Sequence, residues 1–269
     1  MSDTQQAELV ARLKETRKYA HLCDPTLARV AEWACTRHTS PKEALKAAKR
    51  KLHQAFGAYI EPKHLKQLET LVTELPLRAP LEQQMAVCRK AFDLHASTCE
   101  RLPLLDTVFD DIFAITGMPG RVLDIACGLN PFALPWTRMS GLYCAWDIDE
   151  RLIACINAFL ERTGRPATAA CRDVLADPPD EAYDVVFLLK ALSCLERQET
   201  GAARSVLAAL RTRHAVVSFP TRSLGGRDRG MQEHYRGFLE PIIEELGLRC
   251  HELPYPTETF YVLDYARRG

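Results

Sequence analysis

The stretch RVLDIACGLNPFALPW, Arg121 to Trp136, decides how this chain is read. An apolar run, Val122-Leu123-Asp124-Ile125, passes through Ala126 and Cys127 into Gly128 and then into the breaker Asn130-Pro131. A strand that ends in small residues and a glycine is how a nucleotide-binding loop begins. A dinucleotide fingerprint, however, carries three glycines, so that backbone can approach a pyrophosphate and a helix can pack close behind it. Here there is one. The turn suits a ligand that needs a close-packed strand end and no phosphate cradle.

Working outward, the rhythm after Arg121 is one of apolar runs alternating with helical patterns: VLDIA, YCAWDID, TAACRDV, DVVFLL and AVVSF, then RCHEL and TFYVLDY. Helices fit between them at Asp149 to Thr163, Arg197 to Arg211 and Glu233 to Leu246. Five strands with intervening helices and a final strand pair predict an α/β fold, a doubly wound and mostly parallel sheet with an antiparallel edge. Its ligands belong outside the carboxyl ends of the strands. The first hundred residues read differently, as helices with few glycines. Gln5 to Tyr19 is one; Asp24-Pro25 starts Thr26 to Arg37; Ser40-Pro41-Lys42-Glu43 starts the next, with Glu43 at the capping-box position. Lys63 to Glu74 and Leu81 to His95 continue the pattern. The expected organisation is a helical bundle over residues 1–75, linking helices over 76–115 and a Rossmann-like domain over 116–269.

The 35 basic residues balance the 35 acidic ones, but unevenly along the chain. Residues 1–66 hold 13 Lys/Arg against 7 Asp/Glu, whereas residues 102–200 hold 8 against 15. A basic appendage beside an acidic domain suggests a polyanionic partner. The ten cysteines are scattered without a CxxC pair, which reads as reduced thiols and no metal site. The polar, acidic N-terminal segment does not have the pattern of a signal peptide, and no window is apolar enough to span a membrane, so a cytoplasmic protein is expected.

Asp124 with the Ala126-Cys127-Gly128 turn, Asp147 and Asp173 stand at three successive strand ends. Carboxylates there repel a diphosphate. They suit a ligand with ribose hydroxyls, an adenine amino group and a cationic sulfonium, which describes S-adenosylmethionine.

The segments HASTCERLPLLD (95–106), DIACGLNP (124–131), DID (147–149), LLKALSCLE (188–196) and FPTRSLGGRDRGM (219–231) resemble a known family. They are similar to those of the aminoglycoside-resistance methyltransferases that modify N7 of guanine 1405 in the decoding site of 16S rRNA. The resemblance implies a class I S-adenosylmethionine-dependent methyltransferase fold with an N-terminal helical domain. It further implies cofactor contacts from Tyr59, His95, Ser97, Thr98 and Arg101, from Ala126 and Gly128 in the loop, and from Leu189 and Gln198. Asp147 would hold the ribose hydroxyls, and Asp173 and Val174 the adenine. Arg101 suits the methionine carboxylate, since a guanidinium binds a carboxylate with two parallel donors; the other reading is an ion pair with Glu100 or Asp106. Cys99 and Arg222 stand where relatives usually carry arginine and lysine.

The run KEALKAAKRKLHQAFGAY (42–59) sets Lys46, Lys49, Arg50, Lys51 and His53 close together, and a second basic cluster follows at Arg222, Arg227 and Arg229. Together they suit the phosphates of a folded RNA, which position a protein without supplying sequence information. A base to be methylated must leave its stack, and Tyr59, Phe56 and Met231 are candidates to receive it. Trp136 reads as packing. The expected partner is helix 44 of 16S rRNA in the 30S subunit, met by a monomer; no general base is expected. Two alternatives are a methyltransferase for N1 of adenine 1408 and a non-catalytic ribosome-binding protein that keeps the fold.

Overall fold

The computed structural model describes residues 3–56, 60–221 and 231–265. Its centre is a seven-stranded sheet: β1 (Arg121–Ile125), β2 (Leu142–Asp147), β3 (Ala167–Cys171), β4 (Ala182–Leu189), β5 (Arg211–Pro220), β6 (Arg249–Pro254) and β7 (Glu258–Asp264). The strand order is β3-β2-β1-β4-β5-β7-β6. The first five strands are mutually parallel, and β7 enters antiparallel between β5 and β6. The order reverses between β1 and β4, which makes the carboxyl ends of those two strands the switch point where an open α/β sheet binds its ligand.

Both faces of the sheet are covered, which is why its central strands read as continuous apolar runs. Alternation sends Val122 to one face and Leu123 and Ile125 to the other. On the first face lie α4 (Pro62–Glu74), α5 (Leu81–Asp93), α7 (Val108–Thr116) and α9 (Glu150–Thr163); on the second, α10 (Leu192–Gln198), α11 (Ala202–Ala209) and α12 (Met231–Leu246). Short turns α6 (Ala96–Cys99) and α8 (Leu134–Thr137) fill the loops. A separate apolar cluster holds together α1 (Asp3–Lys14), α2 (Asp24–Arg37) and α3 (Pro41–Phe56).

Two details depart from the sequence reading. Helix α4, placed by its pattern in the 1–75 unit, buries Leu65, Leu68 and Val72 in the core of the sheet domain, so the break in packing falls before Pro62. The helix expected over Arg197 to Arg211 is two. Gly201 at φ +84° turns the chain between α10 and α11, and the Glu196 carboxylate accepts the Gly201 and Ala203 N–H groups at 2.8 and 3.0 Å, capping the second helix. The segment VFDDIFAIT, at the end of the expected linking helices, is α7, with Phe109 and Phe113 one turn apart and 6.3 Å between ring centres.

Candidate cofactor site

The cleft opens at the switch point. Its floor is made by two residues in the left-handed region that are not glycine, Ala126 after β1 at φ +52° and Lys190 after β4 at φ +57°. Such backbone is disfavoured for any side chain with a Cβ and clusters at functional sites. Here it turns both chains away from the sheet and leaves a cleft of about 970 Å³, open mouth included. Ile125, Ile148, Leu152, Val174, Leu189 and Leu195 give it apolar walls.

Asp147 ends β2 and faces the cleft. Its Oδ2 accepts the Gly128 N–H at 3.0 Å and its Oδ1 the Ile148 N–H at 2.7 Å. Burial raises the pKa of this carboxyl, and the backbone N–H groups of Gly128 and Ile148 oppose the shift. Gly128 closes the turn at φ +51°; a Cβ there would lie 3.3 Å from Cε1 of His95. The sequence thus keeps this position free for close approach. His95 is buried, and burial, with Arg101 and Lys190 nearby, lowers its pKa to about 4. Its ring is therefore neutral at physiological pH.

Arg101 lines the cleft almost without contact to solvent, and its partner is neither Glu100 nor Asp106. Its Nε and Nη2 reach the two oxygens of Glu258 at 3.1 and 2.6 Å, and its Nη1 reaches Asn130 Oδ1 at 2.9 Å. Glu100 accepts from Lys190 instead, while Asp106 accepts the Trp136 indole N–H at 2.9 Å. Two N–H groups of Arg101 remain for a ligand carboxylate.

Asp124, the first of the three strand-end acids, does not line the cleft. It is fully buried within β1, where Tyr143 O–H and Asn130 donate to its Oδ2. It acts through Asn130 on Arg101. Asp173 does line the cleft, yet its Oδ2 already accepts from Thr26 at 2.9 Å and from Arg29 at 3.1 and 2.8 Å. Sequence reading missed Arg29, Thr26 and Glu258 because nothing local marks them; each acts across more than a hundred positions.

Thr98, Val174, Leu189 and Gln198 also lie on the cleft wall. Tyr59, Arg222, Arg227 and Arg229 lie outside the described residues, as do the side chains of Ser97, Phe56 and Met231. On α3, Lys46, Arg50 and His53 are exposed and Lys49 is half-buried. His53 Nδ1 is 2.7 Å from Lys18 Nζ. Lys51, expected beside them as an RNA contact, turns inward. Its ammonium sits 4.1 Å from the Trp33 ring centre and donates to the Gln198 carbonyl.

The residues fit S-adenosylmethionine. The cleft-facing Asp147 carboxylate suits ribose hydroxyls, the apolar walls suit an adenine, and a neutral imidazole tolerates a sulfonium. A guanidinium with spare donors suits the amino-acid end. Among the described residues no group of His, Cys, Asp and Glu could hold a metal, and no helix is long and apolar enough to cross a membrane.

The family model for ribosomal RNA methyltransferase (FmrO) matches residues 15–262. A 16S rRNA (guanine(1405)-N(7))-methyltransferase of Serratia marcescens is 42% identical over 227 residues, 84% of each chain. One of Micromonospora echinospora is 36% identical over 261 residues, 93% of each. Among solved structures, the 16S rRNA methyltransferase RmtF in complex with S-adenosyl-L-homocysteine superposes with a TM-score of 0.86 at 32% identity, covering 98% of this chain and 99% of that one. The 16S rRNA methylase RmtB gives 0.82 at 33% identity, covering 96% and 98%. A match of this length takes in the helical bundle as well as the sheet, and the chain belongs to the FmrO family of ribosomal RNA methyltransferases.

Proposed function

We infer that this protein transfers the methyl group of S-adenosylmethionine to N7 of guanine 1405 in 16S rRNA and thereby confers resistance to gentamicin- and kanamycin-type aminoglycosides. The observation that carries the reading is the extent of similarity. Relatives bearing this activity match 93% of the chain, through the bundle that a cofactor domain alone does not require. In this reading the substrate is helix 44 within the 30S subunit, the enzyme works as a monomer in the cytoplasm, and the exposed Lys46 and Arg50 face RNA phosphates.

When bound, the cofactor supplies a methyl group on a cationic sulfur. The chain's own residues bind and orient. Asp147 accepts the ribose hydroxyls, Asp173 and Val174 border the adenine, and Arg101 presents its spare donors to the amino-acid end. His95, neutral, packs against Gly128 without adding a positive charge beside the sulfonium. Guanine N7 bears an in-plane lone pair and no proton at neutral pH, so no residue has to remove one. Proximity and alignment are the protein's contribution.

The test is to map the modified nucleotide. Treated 30S subunits, cleaved with borohydride and aniline and read by primer extension, are expected to stop at guanine 1405. A modification at adenine 1408, or none, would overturn the reading.

A further inference from the structure

The three-helix bundle does not stand apart from the cleft. Between α1 and α2, Cys23 N–H donates to the Ile148 carbonyl at 2.9 Å and Glu150 N–H donates to that of His21 at 2.8 Å, so the bundle backbone grips the loop that follows Asp147. In the first turn of α2, Thr26 donates to Asp173. One turn later Arg29 spreads over two residues of the cleft wall. Its Nε and Nη2 bond Asp173 Oδ2 at 3.1 and 2.8 Å, and its Nη2 bonds Gln198 Oε1 at 2.9 Å. The Arg29 and Asp173 side chains are only 16% and 4% exposed. Lys51, from α3, holds the Gln198 backbone carbonyl. Asp173 and Gln198 line the cleft; Arg29, Thr26 and Lys51 stand behind them.

We propose that Arg29 is a positioning residue for the cofactor: it fixes the Asp173 carboxylate and the Gln198 amide at the adenine wall, and so makes the helical bundle a structural part of the cofactor pocket. The proposal rests on reading this cleft as the S-adenosylmethionine site. Asp173 Oδ2 accepts from three donors while Oδ1 takes the Leu175 N–H at 3.0 Å, so the carboxylate is held against rotation. Arg29 also decides the orientation of the Gln198 amide, because its donor requires the oxygen on that side and turns the NH₂ group elsewhere. Without Arg29 the buried carboxylate keeps a single side-chain donor, Thr26, and both wall residues lose their registration. Linkage is reciprocal: whatever holds the bundle in place strengthens cofactor binding, and bound cofactor holds the bundle.

The experiment uses the full-length chain and S-adenosylhomocysteine as the calorimetric probe. Arg29→Ala is expected to weaken binding roughly tenfold, and to lose most of that effect in an Asp173→Asn background, as contacting residues do in a double-mutant cycle. Arg29→Lys keeps the charge without the fork and is expected to fall between Arg29→Ala and wild type. On 30S subunits Arg29→Ala should raise KM for S-adenosylmethionine and leave kcat at saturation within about twofold, as expected when only ground-state binding is lost. A merely structural role would lower the unfolding temperature and kcat and spare KM. Wild-type affinity in a folded Arg29→Ala, or in Arg29→Lys should the alanine variant not fold, overturns the proposal and leaves the cofactor reading standing. Failure of the wild-type chain to bind the probe sinks both.

Discussion

Arg101 and Glu258, 157 positions apart, form a two-pronged ion pair with side-chain exposures of 2% and 0%. Around them the charges continue: Lys190 Nζ lies 3.5 Å from Glu258 and also pairs with Glu100, and Ser218 donates to Glu258 from β5. Glu258, the hub of this network, is the first residue of β7, the antiparallel strand inserted between β5 and β6. The antiparallel edge of the sheet thus reaches the cleft through Arg101.

Removing one member of such a pair leaves the other charged and buried. Glu258→Ala is expected to lower unfolding stability by about 3–5 kcal/mol in urea titrations. The combined Arg101→Met, Glu258→Leu variant should recover most of that loss, since an apolar pair of similar volume dispenses with desolvating two ions. It should still bind S-adenosylhomocysteine poorly, because the donors facing the cleft are gone. Equal stability of Glu258→Ala and wild type would show that Arg101 does not depend on this carboxylate for its burial.

Asp147→Ala is expected to remain folded and to bind S-adenosylhomocysteine roughly 100-fold or more weakly, since hydrogen bonds to a charged acceptor contribute about 1.5–3 kcal/mol each. Calorimetry together with a cooperative thermal transition reads both halves of the claim. Unchanged affinity in a folded variant would remove Asp147 from the ribose position.

His95 and Asp124 should pull stability in opposite directions with pH. Burial lowers His95 from 6.5 to about 4, so between those values the unfolded chain binds more protons there, and the cost to the folded state appears as pH falls. Burial raises Asp124 from 3.8 to about 6, with the Tyr143 and Asn130 hydrogen bonds opposing it, so its cost appears as pH rises through that window. Each contributes about 3 kcal/mol at its extreme. Relative to wild type, His95→Asn should gain stability as pH drops from 6.5 to 4, and Asp124→Asn as pH rises from 3.8 to 6. Urea unfolding across the range checks both; parallel curves for all three proteins would contradict the assignment.

The sheet was legible in the sequence because buried parallel strands are apolar runs, and their ends carried Asp147 and Asp173 where the topology brings them together. Gly128 was legible for the same reason, as the residue at which a strand must turn closely. Asp124 misled: a carboxylate within an apolar run looks the same whether it faces a cleft or a buried tyrosine. Glu258 and Arg29 were invisible because their meaning lies in partners from distant segments, and no period or motif encodes an ion pair across the whole fold. The inward turn of Lys51 could not be read, because helical spacing places a side chain on a face but does not say what covers that face. Here Trp33 and Gln198 cover it.

That distinction divides the basic residues of α3. Lys46→Glu with Arg50→Glu should weaken 30S binding and flatten its dependence on salt, by about one unit of slope for each phosphate that is no longer neutralised, without changing affinity for S-adenosylhomocysteine. Lys51→Glu, whose ammonium anchors Gln198, should lower cofactor affinity as well. Filter binding over a salt series and calorimetry separate the two. If all three substitutions act only on 30S binding, the inward placement of Lys51 has no functional consequence.

The methyl-transfer step itself should be nearly independent of pH. Guanine N7 attacks with a lone pair that is already free, so neither partner has to gain or lose a proton first. Near the cleft, His95 is neutral above about pH 4, Lys190 pairs with Glu100 and Glu258, and Glu196 caps α11 through Gly201 and Ala203. Measured in single turnover on saturating 30S subunits, the rate is therefore expected to stay within about twofold between roughly pH 6.5 and 8.5, because proton transfer is absent from the transition state. A bell with two pKa values in that range would demand an acid and a base, and would overturn a mechanism that works by orientation alone.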